Sequence, residues 1–116
     1  MIILHIAEKV HWLNQQSQPF YRDPSLESLG FLHCAQIKDV VDAANCYYRG
    51  KPDRVLLCID TAKTVPEIKW EMSEYGVQYP HVCGALNRDA IVEVLDFPID
   101  PEGGFVLPEK LRHSSQ

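Results

Sequence analysis

Arg54-Val55-Leu56-Leu57-Cys58-Ile59-Asp60 is a nearly continuous apolar run bounded by charges, and its reading decides the fold class. A strand covered on both faces shows no alternation, so this run is predicted as the central strand of a sheet. Toward the N-terminus, Ile2 to Ala7 reads as a second strand, apolar except at His5. Between the two, Gln36 to Arg49 is predicted as the best helix. Ile37, Val40, Val41, Ala44 and Tyr48 fall on one face of it, and Gly50 with Pro52 ends it. Toward the C-terminus, Pro66 to Met72 is a strand in which Ile68 and Trp70 alternate with Lys69 and Glu71, and Ala90 to Phe97 is another.

Shorter pieces fill the gaps. Glu8 to Gln15 reads as a short helix with Val10 and Leu13 at helical spacing, and Ser17 to Pro24 as a loop carrying Phe20-Tyr21. Ser25 to Leu29 is a helical turn stopped at Gly30, followed by a strand from Phe31 to Ala35. Gly76 to Asn87 reads as irregular, punctuated by Pro80 and Gly84, and residues 98–116 as a less regular tail whose polar end frays. Two main helices among five or six strands, unevenly interleaved, predict one α+β domain over residues 1–116. No G-x-G-x-x-G follows the first strand and no G-x-x-x-x-G-K-[ST] occurs, which argues against Rossmann and P-loop nucleotide sites.

At 116 residues, 46% hydrophobic and 23% charged, the chain can build one core without a disulfide or metal. No apolar run approaches the roughly 20 residues that cross a bilayer, and Met1 to Ile6 is too short for a secretory signal. A cytoplasmic protein with no membrane partner is expected. The net charge of -5 and the dispersal of Lys and Arg argue against a nucleic-acid partner and favour a small molecule or a protein. Cys34, Cys46, Cys58 and Cys83 form no C-x-x-C pair and sit in apolar runs, so they read as small buried hydrophobes.

A few polar residues stand where a core-building rule would not put them. His5 and His33 each interrupt an apolar strand just ahead of a helix. A buried histidine needs a partner or a cleft, and two of them on separate strands point to a shared pocket. Glu71 after Trp70 reads first as solvent-facing, and functionally as a carboxylate that stabilises charge in that pocket. His81, in Tyr79-Pro80-His81-Val82-Cys83-Gly84, is balanced between a loop histidine bonded to backbone and a ligand contact. Trp12 and Tyr21 are core or lid residues more often than ligand platforms. His11 and His113 carry no signal. A metal site is not expected, since no H-x-H, H-x-x-x-H or H-E-x-x-H spacing occurs. A hydrolase metal held by His5, His33 and His81 is the remaining alternative of that kind. A nucleophile pair of Cys34 with His33 is disfavoured, because consecutive strand residues point to opposite faces.

Taken in order, Leu4-His5-Ile6, Gly30-Phe31-Leu32-His33-Cys34-Ala35, Val55 to Asp60, Ile68-Lys69-Trp70-Glu71 and Tyr79 to Gly84 resemble the successive signatures of the bacterial family of unknown function DUF952. The resemblance runs up to Phe97. At the position of Cys83 the family pattern more often has an aromatic residue. That family is similar in fold to the ADP-ribosyltransferases, which implies a split, bent, mixed or antiparallel β-sheet around an NAD cleft. It also implies NAD as a substrate rather than a tightly bound cofactor, with a protein as one class of acceptor. On the same pattern, His5 matches the polar residue of the first strand, His33 the one on a strand preceding a helix, and Glu71 the glutamate that stabilises the ribose as nicotinamide leaves. The expected catalytic residues are then Glu71 and His33, and the expected ligand contacts His5, His33, His81, Trp12 and Tyr21. A domain that binds a nucleotide or other small molecule without turning it over is the rival reading.

Overall fold

In a computed structural model, which describes residues 1–112, the two apolar runs pair along their whole length. β1 (Ile2–Glu8) and β5 (Arg54–Asp60) are antiparallel from Ile2 opposite Asp60 to Glu8 opposite Arg54. β9 (Ile91–Phe97) flanks β5, and the short β4 (Ala35–Gln36) flanks β1, giving a four-stranded sheet in the order β4-β1-β5-β9. Both faces of its centre are buried, which is why Val55 to Ile59 show no alternation. Ile3, Ala7, Val55, Leu57 and Ile59 pack into one apolar cluster, and Leu4, Leu56, Cys58 and Phe97 into a second on the opposite face.

A second sheet has three strands in the order β3-β7-β6: β3 (Leu32–His33), β7 (Gln78–Val82) and β6 (Ile68–Met72). Leu32, Val82 and Ile68 turn its apolar side into the first cluster. The strand expected from Phe31 to Ala35 is therefore two strands, broken at Cys34, with one half in each sheet. A two-residue ribbon joins β2 (Phe20–Tyr21) to β8 (Leu86–Asn87), so the expected loop at 17–24 and the irregular stretch at 76–87 both contain strands. β7 runs through Pro80, whose carbonyl accepts from the Cys34 N–H. Every strand pairing among the described residues is antiparallel, which decides between the mixed and antiparallel sheets expected.

Among the described residues there are four α-helices: α1 (Lys9–Asn14), α2 (Ser25–Leu29) and α3 (Val40–Tyr47), which fall in the helical segments expected, and α4 (Glu109–Arg112), which was not expected. α2 ends at Gly30 in the left-handed conformation (φ 82°) that glycine adopts without steric cost. α3 buries Val40 and Ala44 in the second cluster, with Ala43 buried beside them. On α1 the predicted apolar face is displaced: Val10 and Leu13 are exposed, and Trp12 packs on the first cluster instead. Cys46 is exposed on α3, against the expectation for the cysteines, whereas Cys34 and Cys58 are buried. Phe105 and Leu111 carry the C-terminal segment back into the second cluster. No described helix is long and apolar enough to cross a membrane. The polar end expected to fray and His113 lie outside the described residues.

Candidate functional site

Alternation along β1 puts Ile3, His5 and Ala7 on one face and Leu4 and Ile6 on the other, and this separates two polar sites. On the first face His5 is 3% exposed. Its Nδ1–H donates to the backbone carbonyl of His33 at 2.6 Å, and its Nε2–H donates to Asp23 Oδ1 at 3.2 Å. The Tyr21 hydroxyl donates to the same carboxylate oxygen, and the Ser25 N–H and Oγ–H donate to the other. Burial opposes a charge on His5, but its hydrogen bond to Asp23, with Cys34 adding to it, outweighs this and lifts the ring to about 10. Asp23 is held well below the usual carboxylate range, against its own desolvation, by His5 and Ser25. Tyr21 is raised by burial and then by Asp23, so it stays a donor. Trp12 packs on Tyr21 at 5.7 Å between ring centroids, and the Arg88 guanidinium lies 4.5 Å over the indole.

On the second face lies a cleft of about 500 Å³, within the usual range for a small-molecule site. Leu4 and Ile6 of β1 and Ala35 of β4 supply apolar surface, and Ala43, Tyr47 and Tyr48 supply the side formed by α3 and its end. Cross-strand register supplies the rest. His33 lies opposite His81, and Glu71 lies opposite Tyr79 two residues along β7, so all four share one face of the three-stranded sheet. The His33 and His81 rings meet edge to face at 4.9 Å, and Phe31 stacks on His81 at 3.9 Å with 7° between the planes. Burial, then the neighbouring His81, hold His33 below its ordinary value. Burial lowers His81 as well, with Glu71 pulling the other way. Both rings are neutral at pH 7.

The structure thus brings His33, His81 and Glu71 together and leaves His5, Trp12 and Tyr21 out of the cleft. The pocket expected to be shared by His5 and His33 is corrected. The strand alternation that aims Leu4 and Ile6 into the cleft sends His5 into the opposite core, where Asp23 takes its second nitrogen. His5 acts on the cleft through the His33 backbone. His5, His33 and His81 do not converge in this geometry, since His5 points away from the cleft that His33 and His81 line. Cys34 and His33 both line the cleft, contrary to the simple alternation argument, because the strand breaks between them. Sequence reasoning missed Asp23, Tyr47, Tyr48 and Tyr79. For Tyr79 the signal was available, since it stands two residues from His81 and so shares its face.

Comparison with known proteins adds the relatives. The chain is similar to CC0527 of Caulobacter crescentus. The crystal structures of that protein and of a double mutant of it each match at a TM-score of 0.85 with 23% identity, covering 96% of this chain and 98% of that one. Its solution NMR structure matches at 0.77 with 23% identity, covering 98% and 97%. At that identity the likeness speaks for the fold. No curated protein matches the chain. Residues 6–94 match the family described as "Protein of unknown function (DUF952)", and the chain belongs to that family.

Proposed function

We propose that the cleft is a ligand site and that the chain is a small enzyme of the ADP-ribosyltransferase type, cleaving the nicotinamide–ribose bond of NAD. One observation carries the reading: His33, His81 and Glu71 stand on one face of a sheet, across from an apolar, tyrosine-lined wall. Breaking the bond between ribose C1′ and the ring nitrogen sends the electron pair to the ring, and nicotinamide leaves neutral. The positive charge that develops on the ribose is stabilised by the Glu71 carboxylate. Water or a protein side chain then attacks C1′, and the neutral His33 ring takes the proton it gives up. His5 is a positioning residue, since its bond to the His33 carbonyl fixes where that ring stands.

Release of nicotinamide from NAD tests the reading. Wild type should release it above background, and Glu71→Gln should lower the rate about 10²- to 10³-fold, the usual cost of a lost charge-stabilising group. No release with any acceptor would sink the enzymatic reading.

A binding module without turnover is the second reading, and the exposure of Glu71 favours it. A carboxylate open to water stabilises developing charge less than one in a dry site. Saturable NAD binding with no product would select it.

A further inference from the structure

Resting on the reading of the cleft as the ligand site, we infer that it recognises a planar aromatic cation and makes no contact with phosphate. The lining of the cleft contains no lysine and no arginine, and Glu71 is the carboxylate in it. A pyrophosphate entering it would meet one negative charge and no positive one. A flat cation would meet Tyr47 and Tyr79, whose π systems attract it, and the Glu71 carboxylate, whereas Tyr48 already has Arg54 and Lys51 near its ring.

The surroundings reinforce this sign. Asp39 and Asp42 act on the Tyr79 hydroxyl and Glu74 on that of Tyr47. Three of the nearby positive charges are engaged elsewhere. Arg54 is paired with Glu8 and lies 5.4 Å over the Tyr48 ring, with Lys51 at 5.9 Å from it, and Lys38 is paired with Asp39. Lys69, opposite His81 in register, shares the sheet face of Glu71 at the edge of the cleft but is not among the residues that line it.

His81 is the second, independent mark of a binding site. It is 9% exposed, lines the cleft, and its ring nitrogens have no hydrogen-bond partner among the described residues. Backed by Phe31, the neutral ring can donate to or accept from an amide or hydroxyl on the ligand without adding charge.

The probes are 1-methylnicotinamide (a ring cation without phosphate), neutral nicotinamide and ADP-ribose, titrated calorimetrically into the wild-type chain. The cation should bind saturably and at least tenfold tighter than nicotinamide, and ADP-ribose should not bind. Glu71→Gln should weaken the cation at least tenfold and leave nicotinamide unchanged. Tyr79→Leu should weaken the cation where Tyr79→Phe does not, since the ring face and not the hydroxyl is at work. Equal affinity for nicotinamide and its methylated ion overturns the inference. So does ADP-ribose binding in place of the cation, which would leave nucleotide binding standing. Cation binding without nicotinamide release from NAD supports the inference and removes only the enzymatic reading. A folded wild type that binds none of the three overturns both.

Discussion

His5 and His33 are one hydrogen bond apart and have opposite fates. His5 is enclosed, charged and bonded at both nitrogens. His33 is exposed, neutral, and touched by the rings of Phe31 and His81. The backbone carbonyl of the second residue is a partner of the first. The difference teaches that a histidine in an apolar strand is not by itself a ligand contact. What decides is whether both of its nitrogens are already taken.

The contrast breaks most sharply at Asp23. Asp23→Ala leaves the His5 charge buried without its counter-ion, and removing one partner of a buried pair costs about 3–5 kcal/mol. Urea unfolding should report that loss, and a change below about 1 kcal/mol would mean that the pair carries no structural weight. Next comes pH. His5 is raised in the folded state, so its contribution is full below the unfolded value near 6.5 and is lost as pH rises toward about 10. Asp23 is depressed, so its contribution holds at neutral pH and disappears only in acid, below its unfolded value of about 4. Unfolding midpoints should therefore fall from pH 7 to pH 9 in the wild type, and that slope should flatten in His5→Gln. An unchanged slope would place the titration elsewhere. The smallest effect belongs to the cleft. His33→Gln alters an exposed ring with no hydrogen bond to lose and should move stability by about 0.5 kcal/mol or less. A loss above about 2 kcal/mol in the same unfolding assay would give His33 a structural role like that of His5.

Much of this was legible in the sequence. The apolar runs at 2–7 and 54–60 and the helical face Ile37, Val40, Val41, Ala44 and Tyr48 carry periodicity that burial enforces. β7 was not legible, because Pro80 argues against a central strand. It is tolerated because the missing N–H falls at one ladder position while the Pro80 carbonyl still receives Cys34. The break at Cys34 left no local mark either, since Leu32 to Ala35 is apolar whichever sheet each half joins. At the site, alternation put His5 with Ile3 and Ala7 but could not say which face of β1 met the cleft. Asp23 sits in a proline-flanked loop, where a carboxylate looks solvated. Its role comes from three-dimensional closure, 18 residues away from His5.

The strand order β4-β1-β5-β9 also has a consequence for how the molecule is made. β1 leaves the ribosome before β5, its full-length partner, which follows about fifty residues later. Until Arg54 to Asp60 has emerged, Ile2 to Ala7 is an apolar strand with an open edge. Loop closure of that length delays pairing and exposes the nascent chain to association with its neighbours. Synthesis rate and chaperone supply then bear on the yield of folded protein as well as the final contacts do.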